Sequence, residues 1–118
     1  MNSLIESIFD GFTVGGEQIP VVYMYYHGHG EPYVVYMQIY SDNVLRGDDS
    51  LVGYADYYDF DVYYKVNFTA IVEQVISMLE AHGFVWRPDR SSREMYEPDT
   101  GYYHKTVTFS FIREVNNG

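Results

Sequence analysis

The sequence predicts an α+β fold: an antiparallel β-sheet of four to five strands with two α-helices packed on one face, in the order α-β-β-β-α-β-β. Three observations carry that expectation. Phe68, Ile71, Val72, Val75, Ile76 and Leu79 recur at the spacing of a single apolar helical stripe. Just upstream, Tyr58, Phe60, Val62 and Tyr64 alternate with Asp59, Asp61 and Tyr63, the period of a strand with one wet face. The chain also holds 14 tyrosines among 118 residues. Tyrosine favours strands and joins an apolar ring to a polar tip. At this length one domain, residues 1–118, with one core is expected.

The first element is a short amphipathic helix within residues 2–12. Ser3 and Glu6 have capping-box spacing, Leu4, Ile5, Ile8, Phe9 and Phe12 form the stripe, and Gly11 can end it. Residues 13–20 form a connector in which Gly15-Gly16 permits a tight turn and Pro20 holds Ile19 extended. Residues 21–27 and 33–40 read as two strands. The short glycine-containing break between them predicts a hairpin. Residues 41–52 are polar and read as a long loop carrying Asp42, Arg46, Asp48 and Asp49. A third strand covers 54–65. Asn67 or Thr69 caps the second helix, of roughly four turns, and Gly83 stops it with Phe84 packing behind. Strand segments follow at 84–87 and 91–97, then the turn Pro98-Asp99-Thr100-Gly101 and a last strand over 102–114. Residues 116–118 are expected to fray.

The net charge is −10, from 17 acidic against 7 basic residues. That argues against a protein that grips nucleic acid by its phosphates, though not against one that lies beside it. There is no cysteine, hence no disulfide framework and no thiolate chemistry, and a cytosolic origin fits. No signal peptide is expected, and no stretch approaches the roughly 20 apolar residues of a membrane helix.

Few residues invite a chemical role. His27 and His29, in His-Gly-His-Gly, are the best metal candidates, but two ligands on a turn fall short of the three or four a site needs. A polar turn is the reading favoured for them. Asp59 and Asp61 share a strand face and read as its solvated side rather than as an acid–base pair. No nucleophile elbow and no phosphate-cradling glycine loop occurs. No catalytic residue, metal or cofactor is assigned. Charge layout is more informative. Arg87, Arg90 and Arg93 crowd three bases into seven positions, and Asp42, Asp48 and Asp49 form an acidic complement. Such patches can meet across a heterologous subunit interface, or each can stay solvated with local pairing to Asp89 and Glu94.

A succession of short motifs runs along nearly the whole chain. After the first helix come Ile19-Pro20-Val21, Pro32-Tyr33-Val34-Val35-Tyr36 and Ser41-Asp42-Asn43. Val62-Tyr63-Tyr64-Lys65, His82-Gly83-Phe84-Val85-Trp86 and a closing Glu97-x-x-Thr100-Gly101-Tyr102-Tyr103-His104-Lys105 follow. This order resembles the small tail terminator (tail completion, head–tail joining) proteins of long-tailed bacteriophages and prophages. The resemblance implies a structural virion protein without enzymatic activity, assembled in the host cytoplasm and located at the head–tail interface. It implies a homo-oligomeric ring, hexameric in such families, that caps the tail tube protein, receives the head connector and lets DNA through its lumen. An acidic lumen would repel phosphate and let DNA slide. Asp42 is the one residue carried over, as a lumen or contact residue.

Two rival classes stand beside this one. One is a small α+β binding module or regulator acting through a tyrosine-rich sheet face. The other is a metal-dependent enzyme built on His27, His29 and nearby acids.

Overall fold

The computed structural model describes residues 2–26, 32–47, 50–64, 68–89, 91 and 94–114. Helix α1 spans Asn2–Ile8, with Ser3 inside it rather than at its cap. Gly11, at φ 68°, turns the chain out of the short 9–12 segment that follows. Strands β1 (Thr13–Val14) and β2 (Glu17–Gln18) form a two-stranded ribbon. Gly15 and Gly16, at φ 60° and 82°, supply the two left-handed positions that a two-residue hairpin turn requires.

The main sheet has six strands: β3 (Val21–Tyr23), β4 (Tyr33–Leu45), β5 (Leu51–Tyr64), β6 (Val85–Trp86), β7 (Met95–Glu97) and β8 (Tyr102–Glu114). They are ordered β3-β4-β5-β8-β6, with β7 also on β8. The mixed α+β class, a multi-strand sheet with two helices, is as expected; the sheet exceeds the predicted four to five strands.

Two expectations fail. First, β3 pairs with β4 in parallel, Val21 beside Val34, so the two runs are not a hairpin. Strand β3 ends early because the chain reverses at Met24, whose φ of 65° and flanking Tyr25 N–H to Tyr23 carbonyl bond (2.7 Å) make a γ-turn of the rare positive-φ kind. Second, residues 41–52 are not a long loop. Strand β4 continues to Leu45 and β5 begins at Leu51, leaving 46–50 as the connection, which Arg46 N–H closes onto Ser50 O at 2.9 Å. Cross-strand pairing overrides the weak strand propensity of Ser41, Asp42 and Asn43: Tyr40 stacks on Tyr57 (4.4 Å), and Ser41 donates to Asp56 (2.6 Å). Strand β8 pairs along β5 as far as Gly53–Glu114. At Gly53 a Cβ would lie 2.6 Å from Arg113 O, so only glycine lets the strands approach that closely.

Helix α2 spans Phe68–Glu80, which places Thr69 inside it; Asn67 lies outside the described residues. Phe84 N–H reaches Leu79 O (3.1 Å) and Gly83 N–H reaches Glu80 O (3.3 Å), the two bonds of a Schellman stop, with Gly83 at φ 89°.

The buried cluster gathers Ile5, Ile8 and Phe9 around α1, Ile71, Val75 and Leu79 from α2, and the in-phase residues of the sheet. Those are Val34 and Tyr36 on β4, Tyr58, Phe60, Val62 and Tyr64 on β5, and Val107 and Phe109 on β8. It uses β5 only from Tyr58 onward. The other half of β5, with its β4 and β8 partners, continues as a three-stranded blade outside the helix-bearing cluster. A 14-residue strand at about 3.3 Å per residue accounts for most of the 51 Å long axis. The tail at 116–118 lies outside the described residues.

Candidate functional site: the acidic, tyrosine-rich sheet face

Period-two geometry and the pairing register put the out-of-phase residues of β4, β5 and β8 in rows on one face. Successive rows are Tyr33–Tyr63–His104, Val35–Asp61–Thr106, Met37–Asp59–Thr108, Tyr40–Tyr57–Ser110 and Asp42–Ala55–Ile112. A bulge near Ile39 keeps the last two in phase.

The first row is a continuous stack. Tyr26 lies on Tyr33 (4.4 Å), Tyr33 on Tyr63 (4.7 Å) and Tyr63 on the His104 ring (4.3 Å), all with small interplanar angles. Tyr102 meets Tyr33 and Tyr63 edge-on. Burial, then the charge of Asp61, then Tyr33 and Glu97, push the Tyr63 phenol up to about 12. Burial and Glu97 raise Tyr33 as well.

The next two rows hold the acids. Thr106 Oγ1 donates to Asp61 Oδ1 at 2.6 Å, and His104 Nε2 lies 3.4 Å from the same oxygen. Thr108 Oγ1 donates to Asp59 Oδ1 at 2.7 Å. Burial raises the Asp59 pKa, the Thr108 hydrogen bond opposes it and Asp61 adds repulsion. The two carboxylates are therefore half-buried and hydrogen-bonded, not freely solvated as their alternation predicts. Beside them a cleft of about 360 Å³ opens, lined by Tyr25, Tyr26, Tyr33, Met37, Asp61 and Tyr63, among others.

Of the residues singled out from sequence, Asp42 is exposed on β4 rather than in a loop, in the row of exposed Ile112. Arg46 is exposed at the connection. Arg87 is drawn onto the sheet: its Nε donates to Ser110 Oγ (3.0 Å) and its guanidinium lies 5.9 Å from the centre of the Tyr57 ring. Asp48, Asp49, Arg90, Arg93, His27 and His29 lie outside the described residues. Among the described residues no group of three His, Cys, Asp or Glu side chains could hold a metal.

One charged residue escaped the sequence. Asp56 points to the core side, in phase with Tyr58 and Phe60, and is 2% exposed. Arg113 clasps it through Nε (3.0 Å) and Nη2 (3.3 Å), and Ser41 adds a third bond. Burial alone would raise its pKa; the Arg113 and Ser41 hydrogen bonds and the Arg113 charge together bring it below the usual range. An acid in the apolar phase of a strand was the signal available, since a buried carboxylate calls for a partner. No protein-family model matches the chain, and no curated protein matches it either.

Proposed function

We propose that this chain is a structural subunit of a long-tailed phage or prophage virion: a tail terminator or head–tail joining protein that assembles into a ring, hexameric in arrangement, on the tail tube. In this reading it has no catalytic role and no cofactor. Its partners are copies of itself, the tube protein and the head connector, and DNA passes through the lumen without sequence-specific contact.

The observation that supports this best is the blade. Beyond the helix-bearing cluster it carries Ile39, Leu45 and Ile112 exposed, beside Asp42. Exposed apolar residues on a projecting sheet suit a surface that neighbouring subunits cover. Both helices on one face of the sheet would leave the blade and the row-patterned face for such contacts. The ordered motifs along the chain support the same reading.

Negative-stain electron microscopy and light scattering of the pure protein, alone and with tail-tube protein, test it. Rings, or caps on tube ends, are expected. A strict monomer that never touches tube ends overturns it.

A second reading, a binding module acting through the tyrosine-rich face, is favoured by one observation, the cleft beside Asp61. Binding of a small ligand or peptide there by a chain that never forms rings would select it.

A further inference from the structure

The cleft on the tyrosine-rich face has a chemistry of its own, which does not depend on the ring reading. Asp61, Val35, Tyr26, Tyr33, Tyr63 and Met37 are among the residues that line it. Asp61 uses Oδ1 for both Thr106 and His104. Its Oδ2 accepts no hydrogen bond among the described residues. A carboxylate oxygen left open on a partly buried side chain, beside three tyrosine rings and Met37, can take a further donor, and a charged donor answers it best.

Nothing among the described lining residues supplies one, since neither lysine nor arginine lines the cleft. The surroundings add negative potential: Asp61 and Glu97 both raise the Tyr63 phenol. Among the described residues, the group beside Asp61 that can turn cationic is His104, stacked on Tyr63 and turned to the occupied oxygen. Aromatic rings around a carboxylate in an acidic chain form a receptor for a cation with a flat, weakly hydrated head.

From this geometry we infer that the cleft binds an arginine side chain of a partner protein, its guanidinium donating to Asp61 Oδ2 and lying against the tyrosine rings. Guanidinium suits the site better than ammonium. It is planar like the stack, it packs on aromatic faces, and it loses less hydration on entering a half-buried cleft. A negatively charged ligand is disfavoured by Asp61 and Glu97, and a neutral one leaves Oδ2 without a charged partner.

Titrating the whole chain with N-acetyl-arginine methylamide, followed by NMR, tests the inference. Saturable shifts are expected at the Tyr26, Tyr33 and Tyr63 rings and the Val35 methyls, with a Kd on the order of 1 mM. The citrulline analogue, equal in shape but neutral, should bind at least about tenfold more weakly. So should Asp61→Asn. Met37→Lys, which changes only a wall residue and places an ammonium in the cleft, should also abolish the shifts and guards against Asp61→Asn failing to fold. No saturable shifts, citrulline binding as tightly as arginine, or unchanged affinity in folded Met37→Lys would each overturn it. Ring formation in the same sample is scored separately, so failure of one reading does not count against the other.

Discussion

At Asp59 burial and hydrogen bonding pull in opposite directions. Burial raises its pKa, the Thr108 hydroxyl restrains the rise and Asp61 adds to it, leaving the value above the usual carboxylate range. A carboxylate raised in the folded state weakens folding once it is ionised. That cost is fully present at neutral pH and disappears as pH falls through the raised value toward the unfolded one. Asp59→Asn removes the charge and keeps an oxygen for Thr108 Oγ1 to donate to. It should stabilise the fold by about 1 kcal/mol at pH 7. Urea unfolding at neutral pH and near pH 4 checks this: the gain must shrink at the lower pH, and an unchanged gain would point to a cause other than ionisation. The sequence showed that Asp59 and Asp61 share a face, because alternation alone decides that. It could not show that threonines 49 and 45 residues away would land opposite them. Register across strands is a tertiary fact. So is the ring stack, whose four members come from separate parts of the chain.

Local rules were most legible where one element satisfied them alone. Helix α2 follows its stripe, and its stop at Gly83 and Phe84 follows from backbone chemistry within six residues. The blade is not legible in the sequence because its residues are poor strand formers taken singly. Ser41, Asp42 and Asn43 are held by partners on β5, which β8 in turn supports. The parallel β3–β4 pair is not legible either: a glycine-containing break predicts a hairpin, whereas the reversal occurs earlier, at Met24. The Gly83 stop yields a clean prediction. A Cβ there would meet Phe111 at 3.6 Å, an ordinary contact, so sterics with neighbours cost little. The φ of 89° is the obstacle, since a side chain disfavours the left-handed region by about 1–2 kcal/mol. Gly83→Ala should lower stability by about that amount in urea unfolding, with an unchanged m-value. A loss several times larger would mean that Phe84 and Phe111, whose ring centroids lie 4.7 Å apart, had been displaced as well.

Across the whole molecule, the surface that holds the fold is distinct from the one proposed for assembly. The cluster around α1 and α2 holds the fold, whereas Ile112, 55% exposed on the blade, contributes little to it. Ile112→Lys should therefore change unfolding free energy by no more than about 0.5 kcal/mol. If copies of the chain meet through the blade, the same substitution should abolish rings by burying an unpaired ammonium. Salt discriminates how the copies meet. A chain of net charge −10 repels its own kind, and added salt screens that repulsion. Association through apolar blade residues should then strengthen as salt rises. Association through acidic and basic patches, Asp42 against the 87–93 segment, should weaken instead. Arg87 is already engaged by Ser110 and Tyr57 within its own chain, which favours the apolar route. Light scattering of the wild-type chain and of Ile112→Lys, from low to high sodium chloride, separates these outcomes. Rings that strengthen with salt and vanish in Ile112→Lys support assembly through the blade. Rings that dissolve in salt and survive the substitution place the interface elsewhere.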